Sequence, residues 1–392
     1  MRLLHLCFLA VALSSLGCGS PTTTPDAASE PIADAGLDAA SVTADAPNEH
    51  DAPTAPDTFA DDAFDPSGDA SVTERGRALY GTHCALCHAA DATGYAADDA
   101  PAIGRDDFLV VADDAFLEIA VYDGRPGTPM SAWGDEHGGP FTREDARSVV
   151  AFLRSLQVAP SVDLSGITVS GDATRGSAVF ARECASCHGA EGEGVNAVTL
   201  DNAVFQDSVS DGFLRWSIEH GRRETPMLGF SETLTAQEID DVVTFVRTLR
   251  REPMPEWPIE DAPTLETLVR NPAGANPTFT LIDGRYVPAA DVHAALEAGQ
   301  RMILLDARAN SDWVLGHIPG AAPFPFYSVD ELAASLPTDG TWIIAYCACP
   351  HAASGRVMDD LRARGFTNTA VLDEGIYFWQ DAGYPMARGR LP

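Results

Sequence analysis

Two pentapeptides of one kind, Cys84-Ala85-Leu86-Cys87-His88 and Cys184-Ala185-Ser186-Cys187-His188, lie one hundred residues apart in a chain of 392. Two thiols three positions apart can reach one edge of a planar macrocycle, and an imidazole directly after them falls beneath its centre. This spacing bonds haem covalently and ligates its iron through the histidine. One such pentapeptide alone would also suit zinc or chance. Two in matching surroundings point to two covalently bound haem groups, attached at Cys84 and Cys87 and at Cys184 and Cys187, with His88 and His188 on the irons.

The surroundings do match. Arg75-Gly76 and Arg175-Gly176 each precede an aromatic residue, Tyr80 and Phe180, that leads into the pentapeptide. Downstream, Gly124-Arg125-Pro126-Gly127-Thr128-Pro129-Met130 pairs with Gly221-Arg222-Arg223-Glu224-Thr225-Pro226-Met227. Each unit closes on an apolar stripe at helical spacing, Ala146, Val149, Val150, Leu153 and Leu156 in one, Ile239, Val242, Val243, Val246 and Leu249 in the other. Thr142 with Asp145 and Thr235 with Glu238 supply capping-box starts for these two helices. The internal repeat sets the organisation: a first unit at 71–157, a joint at 158–170, a second unit at 171–251 and a Pro-rich joint at 252–277.

Each unit resembles a class I cytochrome c domain, an all-α fold. The resemblance implies that Met130 fills the second axial position opposite His88, and Met227 that opposite His188. Thioether ligation favours ferrous iron and raises the reduction potential. An iron with both axial positions filled suits electron transfer, and the two methionines argue against a dihaem peroxidase. Trp133 and Phe230, just past the methionines, are read as packing near the haems or as core. His50, His83, His137 and His220 are read as surface or loop histidines.

From about 278 the pattern changes to short apolar runs, Met302–Asp306, Trp342–Tyr346 and Ala370–Leu372, with a helix over 356–364. This is an α/β domain with a mainly parallel sheet. Leu304-Leu305-Asp306-Ala307-Arg308, Gly316-His317-Ile318-Pro319-Gly320-Ala321, Tyr346-Cys347 and Asp373-Glu374-Gly375 together resemble a rhodanese domain over 278–392. The resemblance implies that Cys347 is a persulfide-forming thiolate, taking sulfane sulfur from a donor such as thiosulfate and passing it on. The loop after it departs from the family: it reads Cys347-Ala-Cys-Pro-His-Ala-Ala-Ser354, with no arginine. His351 is the candidate anion contact in its place, and Cys349 a candidate resolving thiol. A simple disulfide or a second buried thiol are the plainer readings of Cys349. Enzymatic sulfur transfer and a catalytically inactive docking or sensing module both remain open.

The remaining signals concern place and partner. Arg2, the apolar run from Leu3 to Leu13 and the small residues after it read as an export signal. Ser15-Leu16-Gly17-Cys18-Gly19 resembles a lipobox, so residues 1–18 would be a lipoprotein-type signal peptide and Cys18 a lipidated membrane attachment. Ser15 departs from the usual leucine, which leaves soluble secretion as the alternative. Residues 19–70 carry ten Asp, two Glu and no Arg, and read as a disordered acidic tether of roughly 40 Å end-to-end reach. Fifty-eight acidic residues against twenty-five Arg, with no Lys, disfavour nucleic acid and favour a basic surface on a periplasmic or membrane redox partner. The expected whole is an exported, periplasm-facing dihaem electron carrier with a rhodanese-like domain that handles reduced sulfur.

Overall fold

A computed structural model describes residues 70–97, 100–252, 254–348 and 351–390. The export signal, Cys18, the acidic segment up to residue 69, His50 and Cys349 lie outside these described residues, while Ala70, the last residue of that segment, opens the first helix. Among the described residues no helix is long and apolar enough to cross a membrane.

The helical region begins with α1 (Ala70–His83), α2 (Ala85–His88), α3 (Asp106–Leu109), α4 (Asp114–Tyr122) and α5 (Arg143–Leu156). It repeats as α6 (Ala173–Glu183), α7 (Ala185–His188), α8 (Ala203–Ser208), α9 (Asp211–His220) and α10 (Ala236–Val246). Both capping boxes are formed: Thr142 and Thr235 accept from the backbone N–H of Asp145 and Glu238, whose carboxylates reach back to the threonine N–H. Their apolar stripes are buried, with Ala146, Val149, Val150 and Leu153 in one and Ile239, Val242, Val243 and Val246 in the other nearly inaccessible.

What holds each unit together is a close crossing of its first and last helices, α1 on α5 and α6 on α10. The crossing is backbone against backbone. A Cβ on Gly76 would lie 1.7 Å from the Ser148 carbonyl oxygen, and one on Gly176 would lie 2.0 Å from that of Asp241. An arginine one residue earlier locks each crossing: Arg75 Nε donates to Asp145 at 2.8 Å, and Arg175 grips Asp241 with two bonds of 2.7 Å.

The two units meet through a reciprocal set of contacts. The Arg125 guanidinium lies over Phe116 of its own unit and Phe205 of the other, at 5.4 and 5.8 Å. The Arg222 guanidinium lies over Phe213 of its own unit and Phe108 of the other, at 5.3 and 5.8 Å. Phe116 and Phe213 face each other between them at 5.2 Å. Asp107 accepts from the Arg223 backbone N–H, Arg105 pairs with Glu224, and Asn202 Nδ2 donates to the Pro126 carbonyl at 2.9 Å.

The second half of the chain is a five-stranded sheet of order β1-β5-β4-β2-β3, in which every strand pair is parallel. In chain order it runs β1 (Tyr286–Val287), α11 (Ala289–Glu297), β2 (Met302–Asp306), α12 (Asn310–Leu315), β3 (Ala322–Pro323), α13 (Val329–Leu332), β4 (Trp342–Tyr346), α14 (Ala352–Ala363), β5 (Thr369–Leu372) and α15 (Gly375–Asp381). The central strands β2 and β4 are apolar and buried along nearly their full length, as a sheet covered on both faces requires.

Gly76→Ala is expected to cost about 1–3 kcal/mol by overpacking the α1–α5 crossing, read from urea unfolding. A second expectation concerns pH. The Arg175 hydrogen bonds hold the Asp241 carboxyl at about 2, below the ~3.9 of an unfolded aspartate. A depressed folded value gives stability that is full above ~4 and lost as pH falls toward 2. Asp241→Asn should therefore lower the urea midpoint at pH 7 and flatten its decline between pH 4 and 2.

Candidate functional site

Each pentapeptide sits where a long helix ends and one short turn begins. α1 runs to His83 and α2 starts at Ala85, and α6 and α7 flank Cys184 in the same way. The turns are alike bond for bond. Cys84 O accepts from the N–H of Cys87 and His88 at 3.1 and 2.9 Å, and Cys184 O from those of Cys187 and His188 at 3.1 and 3.0 Å.

The two imidazoles are oriented alike. His88 Nδ1 lies 2.9 Å from the Pro101 carbonyl and His188 Nδ1 lies 2.8 Å from that of Val198. A carbonyl only accepts, so Nδ1 carries the proton and Nε2 keeps its lone pair for a metal. Burial lowers the pKa of both histidines against these hydrogen bonds, which keeps the rings neutral.

The methionine loops are also duplicates. Met130 O accepts from Arg125 N–H at 2.8 Å and Met227 O from Arg222 N–H at 2.7 Å. The Thr128 hydroxyl donates to Arg125 O at 2.7 Å and accepts from Met130 N–H at 3.2 Å. Thr225 does the same with Arg222 O at 2.8 Å and Met227 N–H at 3.2 Å. Gly124 and Gly221 have φ of 61° and 67°, and a Cβ on either would come within 2.4 Å of backbone nitrogen.

A haem fits this donor set. It asks for paired thiols, a neutral imidazole with a free Nε2, a soft sulfur ligand and partners for its carboxylates. For the last, Arg125 and Arg222 are notable. Both are half-buried with no ion pair among the described residues, and burial pulls each guanidinium down to about 10. Their own hydrogen bonds go to neutral acceptors, the carbonyls of Gly124 and Gly221 and the Ser217 hydroxyl. A half-buried cation with no direct ion pair, near Asp123 for Arg125 and Asp107 for Arg222, can also take an anionic group carried by a ligand. Both arginines stood in the repeated Gly-Arg-x-x-Thr-Pro-Met pattern, and burial is what assigns them a role.

His83 corrects the surface reading. Its ring lies 5.2 Å from Trp133, 4.9 Å from Phe141 and 4.6 Å from Tyr327, and burial pulls its pKa down to about 4. Tyr327 belongs to the α/β domain, so tertiary packing decides the environment of a residue whose own helix ends there. His137 pairs with Asp123, and the exposed His220 stacks on Trp216. Trp133 is buried against Phe141, while Phe230 is half-buried.

Cys347 follows the last residue of β4 and is 2 % exposed. Its sulfur lies 3.2 Å from the hydroxyl of Ser354, in the first turn of α14. The backbone N–H groups at the start of that twelve-residue helix favour negative charge near it. Ser354 went unnoticed in the sequence, because a serine seven residues past the cysteine carries no motif of its own. His351 adopts a left-handed conformation, φ 86°, and its Nε2 reaches Asp373 Oδ1 and O at 2.9 and 3.0 Å. Its ring stacks on Tyr286 at 4.0 Å.

The sulfur site and the first haem-motif unit are neighbours. α14 packs on α2, and Cys347, Ala353 and Val357 share one apolar cluster with Cys84 and Trp133. Ser131 Oγ donates to Asp312, and Ser311 Oγ donates to the Ala132 carbonyl.

Helices carrying twin Cys-x-x-Cys-His turns, joined to a parallel sheet with a cysteine at a central strand end, are similar to a cytochrome c region followed by a rhodanese-like domain. Residues 71–153 and 171–246 each match the family described as cytochrome c oxidase, cbb3-type, subunit III, and residues 288–382 match the rhodanese-like domain. The cbb3-type oxidase subunit FixP of Bradyrhizobium sp. (strain ORS 278) is 29% identical over 176 residues, 42% of this chain and 57% of that protein. Subunit CcoP of Rubrivivax gelatinosus is 33% identical over 129 residues, 32% of this chain and 37% of that protein. The chain thus spans little more than half, or less, of the curated relatives it matches. Among solved structures, the thiosulfate sulfurtransferase of Pseudomonas aeruginosa is 28% identical over 27% of this chain and 20% of that one, with a TM-score of 0.25. The rhodanese-like domain of the Anabaena protein Alr3790 is 29% identical over 27% of this chain and 80% of that one, with a TM-score of 0.25.

Ser354→Ala removes a hydrogen bond that a Cys347 thiolate would accept. Hydrogen bonds to charged groups contribute about 1.5–3 kcal/mol, so alkylation of Cys347 at neutral pH is expected to slow about tenfold. Its pH–rate profile should move to higher pH.

Proposed function

We propose that this protein is an exported, periplasm-facing dihaem cytochrome whose rhodanese-like domain takes up sulfane sulfur and feeds electrons from reduced sulfur toward the haems. The observation that carries the reading is the duplication of the complete donor set. His88 and His188 are oriented by carbonyls, and Met130 and Met227 are held by the same threonine-bridged loop. In this reading Cys84 and Cys87 attach one haem and Cys184 and Cys187 the other, with Arg125 and Arg222 beside their carboxylates. Held by His88 with Met130 and by His188 with Met227, such a group would supply one-electron exchange. Thr128 and Thr225 keep the methionine loops closed, and the carbonyls of Pro101 and Val198 keep the ligand nitrogens unprotonated.

At the sulfur site, Cys347 would attack the sulfane sulfur of a donor such as thiosulfate. The donor's S–S bond breaks, sulfite leaves with the bonding pair, and Cys347 becomes a persulfide. The Ser354 hydroxyl and the start of α14 stabilise the anion, His351 is held near by Asp373, and Cys349 is the candidate resolving thiol. That transfer is electron-neutral, so electrons for the haems come from later oxidation of the persulfide sulfur. Attachment through a lipidated Cys18 and a basic periplasmic or membrane redox partner complete the proposal. The second reading, a docking or sensing module without turnover, is favoured by the missing loop arginine and by the packing of the domain on residues 131–133.

Haemochrome absorbance against protein mass should give two haems per chain, falling to one in Cys87→Ala. Thiosulfate added anaerobically to the oxidised protein should place a persulfide on Cys347 by mass spectrometry and reduce haem. Both signals should vanish in Cys347→Ala. A second haem surviving without reduction or adduct would leave the docking reading in force.

A further inference from the structure

The two methionine loops are closed alike, but they continue differently. After Met130 the chain is tied back to its own unit at Trp133, whose N–H donates to Val121 O at 3.2 Å. After Met227 it is tied back at Phe230, whose N–H donates to Ile218 O at 2.9 Å. Two residues lie between methionine and anchor in each loop, Ser131 and Ala132 in the first and Leu228 and Gly229 in the second. Leu228 is 71 % exposed, and no hydrogen bond from the rhodanese-like domain reaches this pair among the described residues.

In the first loop that gap is filled from the other domain. Ser311 Oγ donates to the Ala132 carbonyl and Asp312 accepts from Ser131 Oγ. All four residues are buried, Ser311 at 1 % exposure. Ser311 and Asp312 stand in the first turn of α12, and Arg308 ties that turn to the sheet. It donates to Asp312 O at 3.4 Å and to Asp306 Oδ2 at 2.6 Å. Asp306 lies in register with Tyr346, the residue before Cys347. Tyr327 closes the same side over His83 and Trp133, at 4.6 and 5.8 Å. The clamp is built from the frame that carries the sulfur site.

We infer that Ser311 and Asp312 are positioning residues for Met130, so that the rhodanese-like domain sets the properties of the first haem and leaves those of the second alone. This rests on the ligand roles proposed for Met130 and Met227. Buried hydrogen bonds at the two residues after a methionine restrict where its sulfur can sit. Thioether ligation favours ferrous iron, so loosening the clamp weakens the bond to sulfur and lowers the potential.

The test uses the full-length holoprotein. Met130→Ala and Met227→Ala first assign the two potentials in an optical redox titration. Ser311→Ala and Ser131→Ala are then titrated singly and together, with hydrogen exchange followed over residues 124–133. The expected result is a fall in the first potential with the second unmoved. The ferric methionine–sulfur absorption should weaken at one site only, and the double variant should add little to either single one. Exchange at 131–133 should quicken. Quicker exchange with both potentials unmoved overturns the inference and leaves a merely structural contact, and so do equal shifts at both haems. Potentials that do not respond to Met130→Ala would instead overturn the ligand reading on which it rests.

Discussion

The contact on which the helical region depends is the backbone crossing at Gly76 and Gly176. A helix allowed to touch another main chain arrives at a fixed angle and depth, and its last residue is fixed with it. α1 and α6 end one residue before the first cysteine of each pentapeptide or at its edge. The crossing therefore sets where the thiols and imidazoles stand. The arginine–aspartate lock beside each glycine reinforces this, with the carboxylate almost wholly buried on α5 and α10. A side chain larger than hydrogen at either glycine displaces the helix and the motif it delivers.

Much of this was legible before any coordinates. The first helical stripe, both capping boxes and the strands Met302–Asp306 and Trp342–Tyr346 appear with the bounds their patterns implied, whereas α10 ends at Val246, three residues short of Leu249, the last residue of the second stripe. These are local signals, written by residues a few positions apart. The helix after the cysteine loop starts four residues earlier than its apolar pattern suggested, at Ala352, because three small residues form its first turn. Contacts between distant segments were not legible. Nothing near His83 announces Tyr327, 244 positions later, and nothing near Met130 announces Asp312. Ser354 was hidden for a different reason: its pairing with Cys347 follows from where the strand end meets the helix start.

Similarity between the two units stops at their surroundings. Inside each, the loop closures, imidazole partners and guanidinium positions coincide within a few tenths of an ångström. Outside, the first is roofed by another domain, and the second presents Val195, Val198 and Leu228 to solvent. Equivalent donor sets thus sit in unequal dielectric surroundings, so redox groups bound at the two would be expected to differ in potential despite one repeated sequence.

The reciprocal arrangement of Arg125 and Arg222 over each other's phenylalanines has a consequence for assembly. Contacts in which one surface meets its own counterpart are the mark of a twofold dimer. Here both halves are on one chain, and the joint at 158–170 never lets them part. A tether of that length keeps the local concentration of the opposing face in the millimolar range. A face too weak to hold two separate molecules together is therefore sufficient.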